Sequence, residues 1–247
     1  MTLSRSALIT GASRGIGASI ADVLAARGYH LTVSARTQSD VDRVAARLED
    51  SYGISAHGVA ADLSQPSELD QLVAAHAARF PRMDALVLNA GMGSLGSIEK
   101  LDSERVQQIF QVNFGSAVQL FQASLPYLRA AADLSPGSGA RVIALASILG
   151  VYPQPKLGAY AASKAALRSL VESINLEHSE SGIGATAVCP AYVATDMTAW
   201  LKDTVHPEAM IRPDDIAHLV GALVALSPRA VVNEIVVSRA GTDGRIA

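Results

Sequence analysis

Apolar runs recur along the chain, and between them hydrophobic positions repeat every three or four residues. The runs near 6–10, 30–35, 55–60, 84–89, 140–146, 184–189 and 234–238 predict strands. Helical periodicity fills about 15–27, 39–51, 66–79, 103–131, 159–181 and 213–226. Pro66 and Pro213 suit helix starts because a first-turn N–H has no partner to lose, and Asp214 and Asp215 favour the positive helix end. Ala85–Leu88 and Val142–Leu145 are apolar at successive rather than alternate positions, so both faces of those strands should be covered. Strand and helix alternate without a break, which predicts parallel strands joined by helical crossovers. The expected fold is α/β: one doubly wound, seven-stranded parallel sheet with helices on both faces, a single domain over residues 1–247.

The first strand runs into three glycines, Gly11, Gly15 and Gly17, and a helical pattern (Ile20, Val23, Leu24) begins at once. A strand, a glycine-rich turn and a helix start together offer backbone N–H groups to a phosphate, as in Rossmann-type folds. A Cβ in the turn would keep a pyrophosphate from the backbone and the helix from the strand. Ser13, Arg14 and Ile16 complete this candidate cofactor turn. The segment Gly11–Gly15 also fits G-x-S-x-G, the nucleophile elbow of serine hydrolases, with Ser13 as the nucleophile. No Gly-Lys-Ser/Thr follows, which excludes a Walker A loop.

The second strand ends in Ser34-Ala35-Arg36-Thr37, and the first acid after it is Asp40. An acid at that end would bond a ribose 2′-hydroxyl and select NAD(H). Arg14 and Arg36 instead suit a 2′-phosphate, so NADP(H) is expected first and NAD(H) second. Asp62 and Leu63, after the third strand, suit an adenine amino group and ring, or Asp62 serves only the next helix start. Asn89-Ala90-Gly91 ends the fourth strand with small residues, where such sheets open a crevice for ligands.

Candidate chemistry follows the fifth strand. Ser147 lies just past it, and Tyr160 and Lys164 stand four residues apart on one face of a helix. A free phenol is a poor base at neutral pH, and a nearby cation favours its phenolate. Taken singly, these residues also fit a strand-end hydroxyl, a packed aromatic and a solvated lysine.

Composition narrows the alternatives. The formal net charge is −3 with no basic block, so neither nucleic acid nor a membrane surface is an expected partner. One cysteine, Cys189, permits no internal disulfide, and the six histidines show no ligand spacing, so no metal is expected. No apolar stretch reaches membrane-spanning length, and a cytoplasmic protein is expected.

The turn Thr10–Gly17, Asp62, Asn89-Ala90-Gly91, Asn113, Ser147, Tyr160-x-x-x-Lys164 and Pro190-x-x-Val193-x-Thr195 stand in one order. With them the chain resembles the classical short-chain dehydrogenase/reductase family along essentially its whole length. The resemblance implies an oxidoreductase acting on a small carbonyl/alcohol pair, in which Tyr160 is the acid/base and Ser147 orients the substrate oxygen. It implies that Lys164 holds the nicotinamide ribose and tunes Tyr160, and that Asn113 positions a water linking Lys164 to solvent. Pro190, Val193 and Thr195 would belong to the nicotinamide loop, and a homotetramer or homodimer is implied. The chain departs from the family pattern at Leu88, where many members have Asn, and at Ala191, where many have Gly, and Ile235–Gly241 lacks the common Asp-Gly-Gly. Thr198–Val205, with Trp200, Met92, Leu95 and Tyr152, would cover an apolar carbonyl substrate, a 3-oxoacyl thioester or a general ketone. The rivals are an NADP-sensing protein without turnover and the Ser13 hydrolase.

Overall fold

Each apolar run becomes a strand within one residue of its expected bounds: β1 (Ser6–Thr10), β2 (His30–Ala35), β3 (Ala56–Ala60), β4 (Ala85–Leu88), β5 (Ala140–Leu145), β6 (Ile183–Pro190) and β7 (Glu234–Val237). The structure, a computed structural model, describes residues 5–201 and 203–247; residues 1–4 of the expected domain and Lys202 of the segment 198–205 lie outside it. All strands pair parallel in the order β3-β2-β1-β4-β5-β6-β7. The order reverses direction at β1, so a crevice opens beyond the carboxyl ends of β1 and β4.

The helices are α1 (Gly15–Ala26), α2 (Gln38–Tyr52), α3 (Pro66–Arg79), α4 (Ser103–Phe110), α5 (Ser116–Leu134), α6 (Gly158–His178) and α7 (Pro213–Leu223). Successive strand residues point to opposite faces, which divides the core in two. Ile9, Val33 and Val87 pack with Ile20 and Leu24 of α1, Val41 and Leu48 of α2 and Val220 of α7. Leu8, Leu86 and Val142 pack on the other face with Leu72 of α3, Leu120 of α5 and Leu167 and Val171 of α6. Burial on both faces is what a strand apolar at every position requires.

The helix expected over 103–131 is not continuous. A π turn, Gln111–Gly115, separates α4 from α5. Such a turn adds a residue to the helical circuit and re-aims the side chains beside it. Here it buries Asn113 to 2% exposure, and the amide is then fully engaged: Nδ2 donates to Met92 O (3.0 Å) and Ser163 Oγ (2.9 Å), and Oδ1 accepts from Met92 N (2.7 Å). All three hydrogen bonds run to segments outside the helix that carries Asn113. Among the described residues no helix is long and apolar enough to cross a membrane, and no group of three or more His, Cys, Asp or Glu could hold a metal ion.

Candidate active site

The crevice floor is the turn between β1 and α1. Gly11 and Gly15 have φ of +65° and +57°, the left-handed region that disfavours a Cβ. Gly17 is required by closeness instead: a Cβ there would lie 2.3 Å from Gly11 O. Asn89 holds the turn from the β4 side, its Nδ2 donating to Thr10 O (2.9 Å) and Gly11 O (3.0 Å). Thr10 Oγ1 in turn accepts from Asn89 N and Ala90 N, both at 3.1 Å. The first turn of α1 has no acid and no side-chain cap, so its N–H groups are free of side-chain partners and suit a phosphate. Ile16 packs inward on the α1 side of the core. A dinucleotide fits the glycines, the open helix end and the small Ala90 and Gly91.

The chemical groups lie further along the same edge of the sheet. Ser147 follows β5 in extended conformation, and its Oγ accepts from Leu149 N (3.2 Å), opening a 3-10 turn over Ile148–Gly150. Tyr160 and Lys164 sit in the first two turns of α6. Lys164 is 3% exposed, its Nζ donates to Leu145 O (2.6 Å), and it lies 5.8 Å from the Tyr160 ring centre. Ser163 joins this pair to Asn113, donating from Oγ to Tyr160 O (2.7 Å). A Cβ on Gly91 would meet Lys164 Nζ at 3.3 Å and Asn113 Oδ1 at 3.4 Å, so Gly91 is small because these two groups flank it.

Burial dominates the electrostatics. It pushes the Tyr160 phenol up to about 12, with the Ser147 hydroxyl acting in the opposite direction. It pushes the Lys164 ammonium down to about 8. At neutral pH the pair is therefore a neutral phenol beside a cation. The thiol of Cys189 is likewise pushed up, to about 12, by burial and then by the charge of Glu234.

The two expected arginines occupy different settings. Arg14 Nη1 pairs with Asp196 Oδ2 at 2.9 Å, bridging the glycine turn and the loop after β6, with both side chains 70% exposed. Arg36 is exposed beyond β2 and near enough to Asp62 to help lower its carboxyl; the main cause there is the backbone N–H of Ser64, followed by the Ser64 hydroxyl. Asp62 Oδ1 accepts that N–H at 2.9 Å, and Leu63 is buried behind it.

Pro190 ends β6. Ala191 takes the position after it without a positive φ, so its Cβ fits, and its N–H donates to Val237 O (2.8 Å). Val193 bridges to Ile211, and its carbonyl accepts from Thr198 Oγ1 (2.6 Å). Thr195 comes close to the glycine turn, 3.1 Å from where a Cβ of Gly15 would be. Ser13 lacks the strained backbone of a nucleophile elbow, since Lys156 alone among described non-glycine residues has a positive φ.

Sequence reading missed Ser163 and Asp196 as parts of the site, and gave Thr10 only as the start of the glycine turn. Ser163 carried a usable signal, because it stands three residues after Tyr160 and next to Lys164 and turns a hydroxyl into the helix's buried side. Asp196 carried none, since only the fold brings it to Arg14.

A family model described as short chain dehydrogenase matches residues 5–206. The chain is 32% identical over 229 residues to the agropine synthesis reductase of Rhizobium rhizogenes, covering 91% of this chain and half (50%) of that protein. It is 33% identical over 242 residues to an uncharacterized oxidoreductase of Bacillus subtilis (strain 168), covering 94% and 96% of the two chains. Among solved structures it superposes on an alcohol dehydrogenase from the archaeon Thermococcus sibiricus, complexed with 5-hydroxy-NADP, with a TM-score of 0.86 and 26% identity over 96% and 97% of the two chains.

Proposed function

This chain belongs to the short chain dehydrogenase family of oxidoreductases, and from that premise we propose that it interconverts a carbonyl compound and its alcohol using NADP(H). One observation carries the reading: Ser147, Tyr160 and the buried Lys164 converge at the carboxyl edge of the sheet, beside a glycine cradle with an open helix end. NADP(H), when bound, supplies the hydride and, once oxidised, a positive charge. The N–H groups of α1 and the turn Gly11–Gly17 would hold its pyrophosphate. Asn89, Ala90 and Gly91 would line its path, and Pro190, Val193 and Thr195 its far end. Arg14 and Arg36, with no acid closing β2, support the 2′-phosphate, as does the NADP derivative in the Thermococcus sibiricus enzyme.

Ser147 Oγ would donate to the substrate oxygen and fix it near the phenol. Tyr160, protonated across the neutral range, would give its proton to that oxygen in reduction and accept it back in oxidation. The cationic Lys164 would steady the ribose and lower the cost of phenolate. Asn113 fixes the Met92 backbone and, through Ser163, the first turn of α6.

The substrate side is apolar. Leu95, Ile98, Met197 and Trp200 are exposed, and Gly96 N donates to Lys156 O (2.8 Å), drawing the 92–100 segment to the start of α6. Tyr192 meets Trp200 edge-on with ring centres 6.4 Å apart. An uncharged ketone or aldehyde with an apolar body fits this mouth.

The test has two stages. Nucleotide fluorescence titrations with NADPH and NADH should show tighter NADPH binding, weakened in Arg36→Ala. NADPH oxidation should then be followed with a panel of uncharged aliphatic and aryl ketones and 1,2-diketones. Turnover that disappears in Tyr160→Phe while NADPH still binds supports the reading. Full turnover in that variant, or no binding of either nucleotide, overturns it.

A further inference from the structure

Arg168 lies on α6, four residues after Lys164 and eight after Tyr160, and so on the same side of the helix. Its side chain is only 25% exposed and contacts two other elements at once. Nη1 donates to Gly150 O (2.8 Å), the last carbonyl of the 3-10 turn that Ser147 opens. Nε donates to Glu234 Oε2 in an ion pair with the first residue of β7. Gly150 itself is pressed on α6: a Cβ there would lie 2.8 Å from Lys164 C and 2.9 Å from Ala165 N. The same turn is closed by Gly150 N donating to Ser147 O (2.9 Å).

Two separate elements carry the reacting hydroxyls, Ser147 on a short turn and Tyr160 on a long helix. A turn of three residues has little stiffness of its own. Besides the packing of Gly150 on α6, the directed contact that ties it to the helix is the planar fork of Arg168, anchored from behind by Glu234, and only a guanidinium presents Nε and Nη in fixed directions to two acceptors.

We infer that Arg168 is a positioning residue, which, held by Glu234, grips the Gly150 carbonyl and thereby sets the place of the Ser147 hydroxyl relative to the Tyr160 phenol. It touches neither substrate nor cofactor. The inference rests on the proposed roles of Ser147 and Tyr160. In a displaced turn the Ser147 hydroxyl no longer meets the carbonyl oxygen at the point where the phenol delivers its proton. Misplacement of this kind costs rate more than binding.

The experiment compares Arg168→Met, Arg168→Lys and Glu234→Gln with the parent, using NADPH and the fastest ketone of the panel as the probe, with rates expressed per NADPH-binding site. Arg168→Met should lower kcat by about 10- to 100-fold, in the range known for small displacements of catalytic groups, with NADPH affinity within about twofold. Arg168→Lys, which keeps the charge but loses the fork, and Glu234→Gln should fall between. In a Ser147→Ala background Arg168→Met should cost about twofold or less, because two residues acting through one contact are not additive. Hydrogen exchange in the segment 146–152 should speed up in Arg168→Met, a readout that needs no turnover. Wild-type kcat per site in Arg168→Met, a full additional loss in the Ser147→Ala background, or unchanged exchange in that segment refutes the inference. Tyr160→Phe is run in parallel: if it keeps full turnover, the reading of the site fails. If it is inactive while Arg168→Met is not impaired, only the role of Arg168 fails.

Discussion

Replacing Lys164 with Met should abolish turnover yet stabilise the cofactor-free protein at neutral pH. Lys164 is 3% exposed, and burial moves its ammonium from an ordinary 10.5 to about 8. At about 1.4 kcal/mol per pH unit, that displacement corresponds to about 3 kcal/mol. Between the two values the unfolded chain holds a proton that the folded chain has released. Stability therefore rises from about pH 8 to 10.5, and below about pH 8 the whole cost is present. Methionine fills a similar volume without a charge. It leaves Leu145 O without the donor it has at 2.6 Å, a loss of about 1 to 3 kcal/mol. With about 2 kcal/mol for that loss, the variant is more stable by about 1 kcal/mol at pH 7 and less stable by about 2 kcal/mol at pH 10.5. Urea unfolding at pH 7, 8, 9 and 10, without nucleotide, reads the difference directly. A difference between variant and parent that does not change with pH would refute the reasoning, whatever its sign at pH 7.

Three further outcomes follow from the geometry. Gly17→Ala, with a Cβ 2.3 Å from Gly11 O, should lose about 1 to 3 kcal/mol of stability and most NADPH binding; parental affinity in a fluorescence titration would contradict this. Asp196→Asn frees Arg14 from a pair whose partners are both 70% exposed. Such pairs are worth at most about 1 kcal/mol, so NADPH should bind up to about fivefold tighter and NADH less so, and an equal gain for both nucleotides counts against the 2′-phosphate role. His76, buried against Thr32 Oγ1 at 2.9 Å, is pushed down to about 4 from 6.5 by burial. The unfolded chain takes up that proton first on acidification, so about 3 kcal/mol should be lost between pH 6.5 and 4. His76→Gln should flatten the slope, and an unchanged slope would assign the acid loss to other groups.

What was legible in the chain was whatever local pattern controls. Ile9, Val33 and Val87 mark their strands because parallel strands covered on both faces leave no polar alternation, and the positive φ of Gly11 and Gly15 is implied by their being glycines after a strand. The conflict lay at 103–134, where Ile109 and Leu120 each keep a helical rhythm that hides the extra residue at the π turn between them. Contacts between distant segments left no trace either. Arg14 gives no sign of Asp196 until folding brings the two together, and no local pattern in α6 ties Arg168 to Glu234 of β7. Asn113 was visible only through resemblance, because a single asparagine in a helix has no local reason to be buried; its reason is the Met92 backbone.

The π turn also makes the site more sensitive to chain length here than the fold. Ile109 ahead of it and Leu120 behind it are both fully buried, because the wide turn takes up an extra residue and leaves the helices on either side in phase. Deleting a single residue between 111 and 115 would return the segment to regular helix with both side chains still facing the core. The loss would fall on Asn113, whose amide would leave the Met92 backbone and the Ser163 hydroxyl that it now meets. A further inserted residue has no such relief, since in regular helix each added residue rotates one flank by about 100° against the other. A one-residue deletion in 111–115 should therefore yield a folded protein with impaired turnover, whereas an insertion should cost the fold itself.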